Sequence, residues 1–162
     1  MQDCLEEQTQ ESIDLLALQG GYINPTNYTK LNSNKISFIS SLSLSIIEQE
    51  LKTHLEDNLE RNCFYGQDQD LKSVSVDINS DIVEVNTDWD LEILNQQAQS
   101  PEIELDSNLY EIYQIAQDIY QSNQITPLQY DNTTIEVTTT NYNTYIYTIT
   151  QQELVFLFAT LI

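Results

Sequence analysis

Basic side chains are the scarcest chemistry in this sequence. The 162 residues include 5 Lys and Arg, 1 His and 26 Asp and Glu, giving a formal net charge of -21 at pH 7. All five basic residues lie between positions 30 and 72, so residues 73–162 offer no cation to neutralise a phosphate. We therefore predict that the protein does not bind nucleic acid directly. An anionic membrane leaflet repels the same charge, so we also predict no membrane association.

Glycine, proline, cysteine and long apolar runs are scarce as well. With 3 Gly and 3 Pro there is no flexible linker, so we predict a single domain over residues 1–162. No apolar run approaches the roughly 18 residues of a membrane span, and no basic segment precedes an apolar run near residue 1, so we expect no signal peptide. Cys4 and Cys63 form no Cys-x-x-Cys motif. We interpret them as free thiols in a reducing, cytoplasmic compartment, with one disulfide as the alternative.

Catalytic motifs are missing too. His54 is the only histidine and lies in a charged helix, so a Ser or Cys nucleophile has no clear base. The chain has no P-loop, no Gly-x-Gly-x-x-Gly and no His-Glu-x-x-His. We predict that the protein is not an enzyme and uses no cofactor.

Carboxylates in one segment have partial calcium-loop spacing. Asp77, Asn79, Asp81 and Asp88 fall at positions 1, 3, 5 and 12 of an EF-hand-like loop. Position 6, where a glycine makes the sharp turn, is Ile82. Alternating valines through the same segment favour a strand hairpin, and we predict no specific metal site.

Hydrophobic periodicity predicts the order helix, helix, three strands, helix, two strands, helix. The predicted helices span residues 3–19, 45–61, 108–121 and 151–161; the strands span about 71–77, 81–86 and 88–93, with a hairpin over 133–150. Residues 21–35 are loop by composition, and residues 36–44 fit either a strand or an early helix. The predicted class is α+β, with one antiparallel sheet of about five strands (two hairpin units) and helices packed on one face.

Two predicted helices depend on capping boxes. Ser45 with Glu48 begins the second helix, where Glu48, Lys52 and Glu56 at spacing four predict ion pairs on one helix face. Thr150 with Glu153 begins the last helix, which carries the apolar run of residues 154–162. We predict that this run packs in the core, and a membrane contact or an oligomer contact through it stays open as the alternative.

Acidic and apolar residues alternate strictly in two segments. Strand residues two apart share a face at about 6.6 Å, so residues 88–93 present a carboxylate row, and residues 102–106 repeat the pattern. Successive phosphates of one DNA strand are roughly 6–7 Å apart, so such rows match phosphates in charge and pitch. The candidate partner-binding residues are Asp77, Asp81, Glu84, Asp88, Asp90, Glu92, Glu102, Glu104 and Asp106.

These observations favour a non-enzymatic acidic binding protein that imitates nucleic acid. Its partner would be a basic-grooved DNA- or RNA-binding defence protein, such as a nuclease, restriction enzyme or CRISPR effector. A phage or mobile element would encode it, and it would act in the host cell cytoplasm. Two alternatives stay open: an acidic adaptor or secretion-type chaperone for a basic partner, and an ordinary protein adapted to high salt. For any single acidic row, a solvated face that only confers solubility is a further alternative.

Overall fold

A computed structural model describes residues 2–63, 70–90, 92–93, 96–97, 100–123, 129–140 and 143–161. The helices in these ranges are α1 (Gln2–Leu18), α2 (Leu44–Cys63) and α3 (Leu109–Ser122), and a short 3-10 turn spans Ile39–Ser41. The strands are β1 (Tyr28–Leu31), β2 (Asn34–Ser37), β3 (Asp70–Ile78), β4 (Ile82–Asp90), β5 (Glu92–Ile93), β6 (Gln96–Gln97), β7 (Glu102–Asp106), β8 (Thr133–Thr139), β9 (Thr144–Gln151) and β10 (Leu154–Leu161). None of these helices combines the length and apolar character that a bilayer crossing requires.

The α+β class is confirmed, but the sheet arrangement differs from the predicted one. Two three-stranded antiparallel sheets have the orders β3-β4-β7 and β10-β9-β8. Two further hairpins, β1-β2 and β5-β6, stand beside them, and a parallel bridge between Phe38 and Ala159 connects the segment after β2 to β10. The predicted strands were therefore mostly present, but they divide between two small sheets rather than joining into one.

A pair of glycines ends helix α1. Gly20 and Gly21 take φ angles of 76° and 86°, in the left-handed region that favours glycine. The N–H of Gly21 donates to the carbonyl of Leu16 at 2.9 Å, and that of Gly20 to Ala17 at 3.3 Å, which is the Schellman pattern. A Cβ added at Gly20 would lie 2.8 Å from the carbonyl oxygen of Leu157, so the turn also needs glycine for space.

Helix α2 is confirmed, with a different first residue and cap. Ser43 rather than Ser45 caps it, because the N–H of Ile46 lies 3.4 Å from the Ser43 Oγ. The four apolar residues at spacing four are all buried: Ile47, Leu51, Leu55 and Leu59. Helix α3 likewise buries one apolar face: Leu109, Ile112, Ile115, Ala116 and Ile119.

The polar segment predicted as a loop over residues 21–35 contains most of the hairpin β1-β2, so that prediction is wrong in part. Asn32 and Ser33 connect the strands with φ angles of 48° and 77°. Two successive positive φ angles are typical of the tight turn that matches strand twist. Polar composition concealed the hairpin, since only a few of its side chains reach the core.

The predicted strand 88–93 is also wrong as a separate unit. Strand β4 continues from Ile82 to Asp90, and residues 92–93 belong to the short hairpin β5-β6. Thr87 allows the continuation, because its Oγ1 donates to the carbonyl of Pro101 at 2.7 Å and its side chain is buried in register with Val85 and Trp89.

The predicted C-terminal helix over residues 151–161 is a strand, β10, paired antiparallel with β9. Its alternate side chains enter two different clusters: Phe156 and Phe158 lie in the main core, while Leu157 and Ala159 pack with Ile36. A strand buried on both faces shows no alternation in its sequence, so periodicity cannot distinguish it from a buried helix. Nearly all of its apolar surface is used within the chain.

The interpretation of Cys4 and Cys63 as free thiols is wrong in this structure. The two residues form a disulfide with a Cα–Cα distance of 5.9 Å. It joins the first turn of α1 to the last residue of α2. A sequence separation of 59 residues gave no sign that these helix ends are neighbours.

Candidate functional site

Strand alternation gathers carboxylates on the solvent side of the sheet β3-β4-β7. In β4, Val83, Val85, Thr87 and Trp89 are buried, so the residues between them face outward. Cross-strand pairing places the corresponding residues of β3 and β7 on the same side. We call this surface the acidic face, defined by Asp77, Glu84, Asp88, Glu102, Glu104 and Asp106. The three strands contain one basic residue, Lys72, at the β-bulge between Leu71 and Ser73.

The tightest grouping of charge runs across the strands rather than along one of them. Asp77 is directly opposite Glu84, and Glu84 is directly opposite Glu104. The N–H of Ile78 points away from β4 and donates to Glu48. Because the direction of the backbone hydrogen bonds alternates along an antiparallel strand, Asp77 and Glu84 form a hydrogen-bonded pair. Glu84 and Glu104 are then a non-hydrogen-bonded pair, whose Cα atoms are about 4.5 Å apart.

This arrangement opposes folding. Like charges directly opposite each other destabilise a sheet, by on the order of 1 kcal/mol for a pair about 4 Å apart in water. A hydrogen bond from the Asn86 Nδ2 to Glu84 at 2.8 Å offsets part of that cost. Apart from that contact, no hydrogen bond or ion pair among the described residues uses the carboxylates of Glu84 and Glu104.

The charge density of the acidic face is close to that of DNA. From Ile82 to Asp88 the strand advances about 20 Å, at about 3.4 Å per residue. Duplex DNA of that length carries about 12 charges, about six of them on one side. The acidic face presents six carboxylates over the same distance.

The acidic face as defined here does not include three of the predicted site residues. Asp81 is in the β3–β4 turn, where its carbonyl accepts the N–H of Ser107 at 2.8 Å. Asp90 ends β4 and Glu92 begins β5, and the side chains of both lie outside the described part of the chain. Asp88 and Asp90 share β4 while Glu92 belongs to β5, so the predicted row does not continue along one strand.

A second set of acids lies on α2, beside the free edge of β3; two of them, Glu48 and Glu56, were predicted to form ion pairs with Lys52. Carboxylates of α2 accept strand N–H groups: Glu48 from Ile78 at 3.2 Å, Glu56 from Val74 at 3.5 Å, and Glu60 from Leu71 at 3.1 Å. Four residues advance about 6 Å along a helix, and two residues advance about 6.8 Å along a strand. Side chains four apart on α2 are therefore spaced much like N–H groups two apart on β3. Of the predicted ion pairs, the one between Lys52 and Glu56 forms, at 3.8 Å. The spacing of four residues was the available sequence signal, but it is compatible both with ion pairs along α2 and with hydrogen bonds to a neighbouring strand.

Two clefts lie where α1 passes β7. The smaller, of about 350 Å³, is lined by Gln2 and Glu6 of α1 and by Glu84, Asn86, Glu102, Ile103 and Glu104. The larger, of about 810 Å³, includes five carboxylates from five elements or turns and, as far as the described residues show, no basic side chain: Asp14, Asp81, Asp106, Glu111 and Glu153.

The positions with calcium-loop spacing do not converge. Asp77 pairs with Glu84 and Asp88 pairs with Ser73, at different levels of the β3-β4 hairpin. Within the described ranges no group of three or more His, Cys, Asp or Glu is arranged to hold a metal ion. Burial lowers the pKa of His54 below its usual value, with the Asp57 carboxylate acting in the opposite direction.

Comparisons of the chain with protein-family models, curated proteins and solved structures match none of them.

Proposed function

We propose that this protein is a non-enzymatic inhibitor whose acidic face imitates the phosphate charge of nucleic acid. It occupies the basic groove of a DNA- or RNA-binding defence protein, such as a nuclease, restriction enzyme or CRISPR effector, and is encoded by a phage or mobile element. The carrying observation is the acidic face, with six carboxylates on about 20 Å of sheet, including an opposed glutamate pair whose like charges repel.

The proposed target class is cytoplasmic, and we place the inhibitor in the same compartment. Cytoplasmic thiols are kept reduced, whereas Cys4 and Cys63 are joined in this structure. The proposal therefore requires that the fold persists when the disulfide is open.

The direct test is competition for a DNA-binding groove. A panel of purified restriction enzymes, nucleases and CRISPR effectors is titrated with the protein, and release of fluorescent DNA is followed. The variant Asp77→Asn/Glu84→Gln/Glu104→Gln removes the cross-strand grouping and leaves the strand backbone unchanged. Inhibition should weaken mainly through slower association, and its salt dependence should flatten, since complementary charge governs encounter.

A matched control separates this site from the overall charge. Glu7→Gln/Asp57→Asn/Asp131→Asn removes three exposed acids outside the acidic face and gives the same net charge. Equal losses in both triple variants would show that only the total field acts. Binding to a basic protein without displacement of its DNA would instead favour the adaptor or chaperone class. No displacement by the wild type across the panel would refute inhibition of the enzymes tested.

A further inference from the structure

The two free edges of the sheet β3-β4-β7 differ. On the β3 edge, three glutamates of α2 accept the N–H groups of Leu71, Val74 and Ile78. On β7, Ile103 and Leu105 direct their backbone groups to β4, so those of Glu102, Glu104 and Asp106 point away from the sheet. No group in the described ranges hydrogen-bonds to these three N–H groups. Unpaired N–H and C=O groups on a sheet edge are a template for another strand.

Space is available beside this edge. Along β7, helix α1 presents Gln2, Glu6, Gln10 and Asp14, which share one face at spacing four. A cleft of about 350 Å³ opens beside Glu102–Glu104, and one of about 810 Å³ opens at the Asp106 end of β7, both in the size range of ligand-binding pockets. The corresponding row of α2 side chains contacts β3 directly.

Charge selects the occupant. A strand added to β7 places every second side chain about 4.5–5.5 Å from Glu102, Glu104 and Asp106. A second copy of β7 would bring its own three acids into the same positions, where like charges repel. Lysine or arginine at every second residue is complementary, and the intervening side chains face Ile103, Leu105 and α1.

We propose that the β7 edge accepts an extended basic segment of the partner as an added strand. Backbone hydrogen bonds to β7 would hold the segment, and its alternate basic residues would contact the acidic face. The inference builds on the proposed function, because it specifies how a basic partner is held. It adds that the partner must supply a strand with a basic residue at every second position, and not a charged groove alone.

Two synthetic peptides test the register. One has the order Lys-Thr-Lys-Val-Lys-Thr-Lys, and its isomer places the four lysines in one block; both are capped at their ends. The alternating peptide should bind more tightly to the full-length protein by calorimetry at 0.05 M salt. Its binding should slow amide hydrogen exchange at Glu102, Glu104 and Asp106, and leave β8 unchanged.

Substitution at one position separates charge from backbone. Glu104→Gln removes the charge only, while Glu104→Pro also removes an outward N–H that the β4–β7 ladder does not use. The proline variant should bind the alternating peptide about three- to ten-fold more weakly than the glutamine variant, the value of one backbone hydrogen bond. If the proline variant does not fold, the exchange measurement on the wild type decides.

The outcomes distinguish this inference from the proposed function. Equal binding of both peptides, no binding of either, or unchanged exchange at β7 overturns the strand-addition site. A loss with Glu104→Gln and no further loss with a folded Glu104→Pro overturns it as well, and leaves charge mimicry by the acidic face intact. Failure of the enzyme panel, with peptide addition at β7 still observed, would overturn the inhibitor proposal alone.

Discussion

Opening the Cys4–Cys63 disulfide should cost stability without removing the fold. The bond closes a loop with a sequence separation of 59 residues, and loop-closure entropy for that length corresponds to about 4 kcal/mol at 25 °C. Helices α1 and α2 should remain packed after the bond is opened, because Leu5, Ile13 and Leu51 belong to one buried cluster. Because native domains have about 5–15 kcal/mol of stability, we expect the reduced protein to stay folded with a lower margin.

Urea unfolding, followed by circular dichroism with and without a phosphine reductant, measures the difference. The expected decrease in the free energy of unfolding is about 4 kcal/mol, equivalent to a melting temperature lower by roughly 8–16 °C for a chain of this size. Cys4→Ser/Cys63→Ser is the control: it should match the reduced wild type and not respond to reductant. A loss below about 1 kcal/mol would refute the entropic reasoning. Complete unfolding on reduction would refute action in a reducing compartment.

Three further predictions concern charge. Raising ionic strength from 0.01 to 0.15 M shortens the screening length from about 30 to 8 Å. The melting temperature of both the reduced and the oxidised protein should therefore rise. A melting temperature that does not change with salt would mean that the acids are already compensated. Glu48→Ala should lower the free energy of unfolding by about 1–2 kcal/mol, because it leaves the Ile78 N–H of the β3 edge without its acceptor. The control Glu7→Ala, at an exposed acid, should change the stability measured in urea little. Since burial lowers the pKa of His54, the unfolded chain binds more protons than the folded protein just below pH 6.5. The free energy of unfolding should therefore rise with pH in that range. His54→Gln should flatten that part of the stability profile.

The candidate site was predictable in composition but not in arrangement. Six of the nine predicted residues lie on one sheet face, because alternation along a strand is a local property that pairing does not alter. The opposition of Asp77, Glu84 and Glu104 depends on the register between three strands, which no single segment encodes. The α2 glutamates show the same limit, since spacing of four describes a helix face without naming what it contacts.

Sequence periodicity by itself determined helices α1, α2 and α3, the hairpins β3-β4 and β8-β9, and the outward acids of β4 and β7. Each of these has one buried and one solvated face, so the spacing of its apolar residues shows which face is buried. Tertiary structure alone decided that the last apolar run is strand β10. Because β10 is buried on both faces, its sequence lacks the alternation of apolar and polar residues that would identify a strand. It also decided that Cys4 meets Cys63 and that glutamates of α2 accept backbone N–H groups of β3, because these properties depend on which elements become neighbours.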